Sequence, residues 1–268
     1  MWSPAPVLVA GPCVLEDDAL NLRVAERLAA LATRLGLRVV YKASYAKANR
    51  TRGAAPRGPG LELGLARLAR VRAETGLPLL TDVHETGEVA AAAPVVDALQ
   101  IPAFLCRQTP LLEAAGRTGK PVNVKKGQWM APEEMLGAVE KVRAAGGGPV
   151  AVTERGTFFG YGDLVVDMRN FARLRAATGA AVLFDATHAV QQPGRGPGGG
   201  SDGRREHVAA LLAAAAAAGA DGFFVETHPA PENAPSDGAT MWPLGELDSL
   251  IERALDVWRA VREGTVRA

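Results

Sequence analysis

Eight short apolar segments of this chain end in charged or reactive side chains. The segments span residues 7–14, 37–45, 78–85, 98–104, 121–127, 150–156, 181–188 and 222–228. Cys13 lies near the end of the first, Lys42 and Ser44 near the end of the second, and His188 closes the seventh. A (β/α)8 TIM barrel is the fold in which eight parallel strands deliver functional groups from their carboxyl ends to one face. The pattern therefore predicts a barrel enzyme of the α/β class.

Helical segments alternate with these strands, as a barrel requires. They span residues 19–36, 61–76, 86–94, 109–119, 132–147, 164–179, 204–219 and 244–264. The chain has 268 residues, close to the roughly 250 typical of such a barrel, so we expect one catalytic domain over residues 1–268. The longest connections, 44–60 and 190–205, follow strands two and seven. They are predicted to be either lids over the catalytic face or ordinary solvated loops.

Charge and apolar patterning exclude several classes of partner. The formal net charge is +1, so we expect no overall attraction to nucleic acid or to an anionic membrane. The longest apolar stretch, 208–220, is shorter than the roughly 18 residues that indicate a membrane span. The first positive charge is Arg23, which argues against a signal peptide, and two cysteines suit a reducing compartment. We therefore expect a cytoplasmic protein.

Four potential metal ligands are predicted to meet at one rim of the barrel. The eighth strand of a closed barrel neighbours the first, which brings Cys13, His188 and Glu226 together. The segment 229–241 leaves strand eight over the same rim and supplies Asp237. Each residue alone has an ordinary structural explanation, as a buried thiol, a strand-end imidazole or an ion-pair partner. Their convergence favours Fe²⁺, Zn²⁺ or Mn²⁺, because sulfur and nitrogen donors suit these ions better than Mg²⁺ or Ca²⁺.

Positive side chains form a second predicted cluster at the same barrel mouth. They are Lys42, Lys47, Arg50, Lys125 and Arg155. Lysine and arginine bind phosphate and carboxylate oxygens, and several buried cations are costly unless an anion joins them. Alternatively, these side chains extend into solvent or pair with Asp82, Glu154 and Asp185. Five inward-facing candidates favour a site for phosphorylated substrates.

Ten short motifs occur in order along the whole chain. They are Ala10-Gly11-Pro12-Cys13, Tyr41-Lys42-Ala43-Ser44, Lys47-Ala48-Asn49-Arg50, Arg57-Gly58-Pro59-Gly60, Thr81-Asp82-Val83-His84-Glu85, Gln100-Ile101-Pro102-Ala103-Phe104, Val122-Asn123-Val124-Lys125-Lys126-Gly127-Gln128, Thr153-Glu154-Arg155-Gly156, Phe184-Asp185-Ala186-Thr187-His188 and Ser236-Asp237-Gly238. Together they resemble the 3-deoxy-D-manno-octulosonate 8-phosphate synthase family, the 2-dehydro-3-deoxyphosphooctonate aldolases. The Lys-Ala-Asn-Arg element is specific, because the related 3-deoxy-heptulosonate 7-phosphate synthases usually carry a Lys-Pro-Arg-Thr type element there.

The resemblance implies a reaction. The family condenses phosphoenolpyruvate with D-arabinose 5-phosphate and water, giving 3-deoxy-D-manno-octulosonate 8-phosphate and inorganic phosphate, for the inner sugar of lipopolysaccharide. One class of the family is metal-dependent and has cysteine at the position of Cys13, whereas a metal-independent class has asparagine there. Cys13 places this chain with the metal-dependent class.

The resemblance also assigns roles to single residues. The phosphoenolpyruvate cradle comprises Lys42, Ser44, Lys47, Gln100, Lys125 and Arg155. The arabinose 5-phosphate clamp comprises Asn49, Arg50 and Thr51, and the predicted catalytic residues are Lys47, Asn49, His188, Asp237 and Cys13. Phe104 and Arg107 resemble residues that the family lends to a neighbouring subunit, which implies a homo-oligomer, usually a tetramer. Cys106 lies between them and is predicted to pack at that interface.

Two alternatives stay open on the sequence. A heptulosonate phosphate synthase would use erythrose 4-phosphate with the same four metal ligands, and Asn49 argues against it. A non-catalytic metal- and phosphate-binding barrel would have no physical reason to keep like charges together. Three departures from the family pattern, Ala46, Arg52 and the Ser201-Asp202-Gly203 turn, fall on the two long loops and bear on loop closure and sugar affinity.

Overall fold

Eight parallel strands close into a barrel in the part of the chain that the computed structural model describes, residues 1–2, 6–48, 57–196 and 201–266. The described strands are β1 (Val7–Gly11), β2 (Arg38–Lys42), β3 (Leu79–Asp82), β4 (Ala98–Ile101), β5 (Val122–Lys125), β6 (Val150–Glu154), β7 (Thr157–Gly160), β8 (Asp163–Val165), β9 (Ala181–Asp185), β10 (Gln191–Gln192), β11 (Asp202–Gly203), β12 (Gly222–His228) and β13 (Trp242–Pro243). The barrel strands β1 to β6, β9 and β12 pair in chain order, and β12 closes on β1. The predicted (β/α)8 barrel is confirmed.

A helix follows each barrel strand and packs on the outside. The helices are α1 (Asp18–Leu35), α2 (Leu61–Thr75), α3 (Thr86–Ala92), α4 (Thr109–Arg117), α5 (Met135–Ala144), α6 (Asn170–Thr178), α7 (Val208–Ala217) and α8 (Leu247–Val266). Helix α1 shows why they begin and end where they do. The Asp17 carboxylate accepts a hydrogen bond from Leu20 N at 2.9 Å, and Gly36 ends the helix at a φ of 58°. None of the described helices combines the length and apolar character that a membrane crossing requires.

Two apolar layers hold these elements together. Inside the barrel, Val9, Val40 and Phe224 are buried against one another, and Trp2 closes the amino end by donating from Nε1 to Pro149 O at 3.0 Å. Residues at the alternate positions of the same strands pack outward against the helices in a larger cluster. Because side chains fill the lower barrel, polar chemistry is confined to the carboxyl ends of the strands.

The loops on the carboxyl side carry short strands that the sequence analysis did not predict. Strands β7 and β8 form an antiparallel hairpin between β6 and α6, and β10 pairs with β11 across the loop after β9. Helix α6 therefore begins at Asn170 rather than at residue 164, because Leu164 and Val165 belong to β8. Strand β13 adds to β12 in parallel.

Several barrel strands are shorter than the predicted segments. Strand β1 ends at Gly11, so Cys13 lies in the loop beyond it, and His188 likewise lies beyond the end of β9. Gly11 has a φ of 154°, and a Cβ placed there would come within 2.2 Å of Lys42 O. The missing side chain lets β1 approach β2 closely, directly below Cys13 and the Lys42 ammonium.

Candidate active site and metal centre

Three potential metal ligands converge above β1 and β12. Strand pairing sets Gly11 beside Glu226, which brings Cys13, two residues further on, to the same rim. One donor atom from each of Cys13, Glu226 and Asp237 lies within 4.8 Å of the other two. Cys13 Sγ donates to Asp237 Oδ2 at 2.9 Å. Three of the four predicted ligands therefore share one small volume.

Asp237 is held in place from both sides of its carboxylate. Ser236 Oγ donates to Oδ2 at 2.7 Å, and Gln191 Nε2 donates to Oδ1 at 2.6 Å. The backbone of Asp237 has a φ of 54°, in the left-handed region that non-glycine residues seldom adopt. Such a conformation costs free energy and persists where surrounding contacts fix it. The loop after β12 thus holds this carboxylate in contact with Cys13.

His188 lies beside this group rather than inside it. Its Nδ1 is 2.7 Å from Asp185 Oδ2, and its backbone N–H donates to Asp185 Oδ1 at 2.9 Å. The other ring nitrogen, Nε2, is 3.5 Å from Glu226 Oε2. With Nδ1 facing the Asp185 carboxylate, Nε2 is the ring nitrogen on the side of Glu226.

The residues present fit a divalent ion. Glu226 Oε2 is buried without a hydrogen-bond partner among the described residues, which is costly unless a cation joins it. Sulfur, imidazole and carboxylate donors suit Fe²⁺, Zn²⁺ or Mn²⁺. Burial and the charges of Asp237 and Glu226 raise the pKa of the Cys13 thiol well above its usual range. A cation would reverse that balance and favour the thiolate.

We expect metal binding to strengthen as the pH rises. The raised pKa of Cys13 keeps the thiol protonated at neutral pH, and ligation through sulfur requires the thiolate, so a proton leaves as the ion binds. The apparent dissociation constant for Zn²⁺ should fall about tenfold per pH unit above neutrality. Competition with a chromophoric chelator at several pH values measures this slope. The slope should flatten in Cys13→Ala, and an equally steep slope in that variant would contradict ligation by sulfur.

Lys42 sits at the end of β2 among carboxylates. Its Nζ is 3.0 Å from Glu226 Oε1 and 3.2 Å from Asp82 Oδ2, and it donates to Ser44 Oγ at 3.1 Å. Burial alone would lower the pKa of Lys42, but the charges of Asp82 and Glu226 outweigh burial and raise it. Lys42 is therefore charged, and nearby carboxylates already balance its charge in the folded chain.

Lys125 is paired as well. Its Nζ forms an ion pair with Asp185, lies 3.4 Å from His188 Nδ1 and sits 3.5 Å from the centroid of the Phe224 ring. Burial lowers its pKa, and Asp185 opposes that shift. The alternative interpretation of the cations, that they pair with nearby carboxylates, thus holds for Lys42 and Lys125.

Lys47 and Arg155 differ from these two lysines. Lys47 Nζ donates to Ser44 Oγ at 3.3 Å, and Arg155 Nη2 donates to Gln191 Oε1 at 2.6 Å and to His188 O at 3.4 Å. Neither forms an ion pair of 4.0 Å or less with a carboxylate of the described residues. Their charges are balanced only at longer range, so among the predicted cations that the structure describes, these two can bind an external anion.

A chain of polar side chains crosses the barrel below these cations. Asp82 accepts hydrogen bonds from Ser44 Oγ and, at 2.5 Å, from Gln100 Nε2. Asn123 Nδ2 donates to Gln100 Oε1 at 2.8 Å, and Thr153 Oγ1 donates to Asn123 Oδ1 at 2.7 Å. Sequence reasoning identified Ser44 and Gln100 but missed Asn123 and Thr153. Their signal was a polar residue at matching places in successive apolar strands.

The remaining predicted site residues lie elsewhere. Asn49, Arg50 and Thr51 lie outside the described residues. Phe104 and Arg107 are exposed beyond β4, where Phe104 stacks on Trp129 with ring centroids 5.9 Å apart. The prediction for Cys106 was wrong. This thiol is fully buried within the chain itself, 3.3 Å from Met130 Sδ, so it is not on the surface and cannot line an interface.

Comparison with known proteins extends over nearly the whole chain. The sequence model of the DAHP synthetase I family matches residues 4–261. A 2-dehydro-3-deoxyphosphooctonate aldolase of Rhodopseudomonas palustris is 55% identical over 93% of this chain and 86% of its own length. Proteins of the same name from Syntrophotalea carbinolica and Acidithiobacillus ferrooxidans are 53% and 52% identical, over 96% and 91% of this chain and 92% and 86% of their own lengths. This chain therefore belongs to the DAHP synthetase I family.

Proposed function

We propose that this chain condenses phosphoenolpyruvate with D-arabinose 5-phosphate and water, giving 3-deoxy-D-manno-octulosonate 8-phosphate and inorganic phosphate. The observation that carries the proposal is the shared name of relatives that are 52% to 55% identical over at least 91% of the chain. The site supports it independently, because one buried cation, Arg155, and one half-buried cation, Lys47, lie without close carboxylate partners among the described residues beside a cluster of metal donors.

Phosphoenolpyruvate binds, in this proposal, between the paired and unpaired cations. Lys47 and Arg155 bind its phosphate, since their charges are free for an external anion. Lys42 and Lys125 carry charges already matched by carboxylates, and with Ser44 and Gln100 they shape the floor beneath the substrate. Holding two anionic substrates together at one barrel mouth supplies proximity, which lowers the entropic part of the barrier.

The reaction needs one carbon–carbon bond, one added water and one departing phosphate. The enolic carbon attacks the sugar aldehyde, water adds at the adjacent carbon, and phosphate leaves with its bridging oxygen. Cys13, His188, Glu226 and Asp237 would hold the divalent ion. When bound, such an ion supplies Lewis-acid chemistry that orients or acidifies the water or polarises the aldehyde. Burial lowers the pKa of Lys47, but the Glu226 and Asp237 carboxylates help to raise it, so the ammonium keeps its charge and stabilises negative charge on the departing phosphate.

We further propose that the enzyme is a homo-oligomer, a tetramer by resemblance, in the cytoplasm. Phe104 is 52% exposed and Trp129 42% exposed, although their rings stack on each other beyond β4. On the neighbouring β7–β8 hairpin, Phe159 and Tyr161 are almost fully exposed. Exposed aromatic surface of this kind supports burial against another subunit. The two free thiols suit a reducing compartment.

Phosphate release from phosphoenolpyruvate tests the proposed reaction. The assay compares arabinose 5-phosphate with erythrose 4-phosphate, before and after treatment with a chelator and after adding back Fe²⁺, Zn²⁺ or Mn²⁺. We expect turnover with arabinose 5-phosphate that chelation removes and metal restores. Preference for erythrose 4-phosphate would move the assignment to a heptulosonate phosphate synthase. Turnover that is unchanged by the chelator would support the proposed reaction but contradict a requirement for metal.

A further inference from the structure

Gln191 connects the two halves of the site. Its Nε2 donates to Asp237 Oδ1 and its Oε1 accepts from Arg155 Nη2, each at 2.6 Å. A carboxylate only accepts and a guanidinium only donates, so these two partners fix which end of the amide faces which. Gln191 is buried, and a single side chain therefore contacts both a proposed metal ligand and a proposed phosphate-binding cation.

Both partners of Gln191 depend on such support. Asp237 has a strained left-handed backbone, and Arg155 is a buried cation without a close carboxylate among the described residues. Burial lowers the pKa of Arg155, although four carboxylates at longer range oppose the shift. The neutral Gln191 amide holds both side chains, through its nitrogen and its oxygen, without balancing either charge. A carboxylate in place of the amide would pair with Arg155 and repel Asp237.

The base of the loop after β9 is tied down around Gln191. Gln192 Nε2 donates to Asp163 Oδ1 at 2.5 Å, and Arg195 Nη2 donates to Tyr161 O at 2.6 Å, both on the β7–β8 hairpin. Arg204 N donates to Val190 O at 2.9 Å on the return of the loop. Gln191 and Gln192 are neighbours on β10, yet one is directed into the site and the other at the hairpin.

We propose that Gln191 is a positioning residue that keeps the Arg155 guanidinium and the Asp237 carboxylate in register, so that phosphate binding and metal binding support each other through its amide. This inference rests on the proposed function for the identity of the two ligands. The bridge itself depends only on the contacts of three described side chains.

Separate binding measurements on Gln191→Met and Gln191→Glu test the bridge. Methionine keeps the length of the side chain without its polar ends, so we expect both Zn²⁺ affinity, measured by chelator competition, and phosphoenolpyruvate affinity, measured by calorimetry on the metal-loaded protein, to fall about tenfold. In Gln191→Glu the new carboxylate competes with the substrate phosphate for Arg155, so phosphoenolpyruvate affinity should fall further than in Gln191→Met. The KM for phosphoenolpyruvate should rise more than kcat falls in both variants.

Gln192→Met is the matched control, because it removes a buried amide from the same strand and leaves the site contacts intact. It should keep wild-type affinity for both ligands, and its thermal stability should fall by about as much as that of Gln191→Met. Equal affinities in the Gln191→Met and Gln192→Met variants, or loss of one ligand alone in Gln191→Met, would overturn the inference. Failure of the wild type to form the expected product would contradict the proposed function instead, since the two binding titrations do not depend on turnover.

Discussion

Replacing Cys13 with asparagine is expected to abolish high-affinity metal binding and leave the barrel folded. Cys13 supplies the only sulfur of the donor group, and its Sγ lies 2.9 Å from Asp237 Oδ2. An amide is a weaker donor for Zn²⁺ or Fe²⁺ than a thiolate, so the dissociation constant for Zn²⁺ should rise by a factor on the order of a thousand. Metal content after dialysis and chelator competition measure the change. Turnover should survive in part, although chelation stops the wild type, because asparagine is the residue at this position in the metal-independent class that the sequence analysis describes.

Cys106→Ala is the matched control for this variant. Cys106 is also a fully buried free thiol, but its sulfur contacts Met130 and no donor of the metal group. Its loss should lower stability slightly and leave metal content unchanged. Wild-type metal content in Cys13→Asn would remove Cys13 from the ligand set, and loss of metal in Cys106→Ala would indicate a general loss of folding rather than of a ligand.

The sequence predicted the barrel well because its pattern is periodic. Each strand starts within one residue of the predicted position, since apolar runs between helical segments have a clear beginning at the buried end. Strand ends were predicted less well, because a polar residue such as Ser44 belongs to the apolar run in sequence yet lies beyond Lys42, where β2 ends. The β7–β8 hairpin was missed because Leu164 and Val165 read equally well as the first turn of α6.

The sequence indicated three residues that the structure brings together, Cys13, Glu226 and Asp237, but it did not indicate which cation pairs with which carboxylate. Strand order alone places Cys13 near Glu226, because β1 must neighbour β12. The spacing of residues along the chain does not reveal which cation pairs with which carboxylate. On the sequence, Lys125 and Arg155 were therefore assigned the same role. Gln191 gave no signal, since a glutamine in a long loop is ordinary until the fold places Arg155 and Asp237 at its two ends.

This difference between paired and unpaired cations has a measurable consequence. Arg155→Met should lower affinity for phosphoenolpyruvate by a factor of about 100 to 1000, because charged hydrogen bonds to phosphate are lost. The free energy of unfolding should change by no more than about 1 kcal/mol, since the substitution also removes a buried charge that has no close partner. Chemical denaturation and calorimetric titration with phosphoenolpyruvate measure the two effects on the same protein.

Lys125→Met is the counterpart, with the opposite balance. It leaves Asp185 buried with His188 but without its lysine, so the free energy of unfolding should fall by about 3 kcal/mol. Burial raises the pKa of Asp185, but His188 and Lys125 outweigh it and lower the pKa, so this carboxylate stabilises the wild-type fold above the ordinary carboxyl range. That stabilisation is lost as the pH falls. Losing Lys125 should therefore flatten the acid limb of the stability curve. Equal destabilisation by both substitutions would show that the charge of Arg155 is balanced within the protein, and Arg155 would then no longer be assigned to phosphate binding.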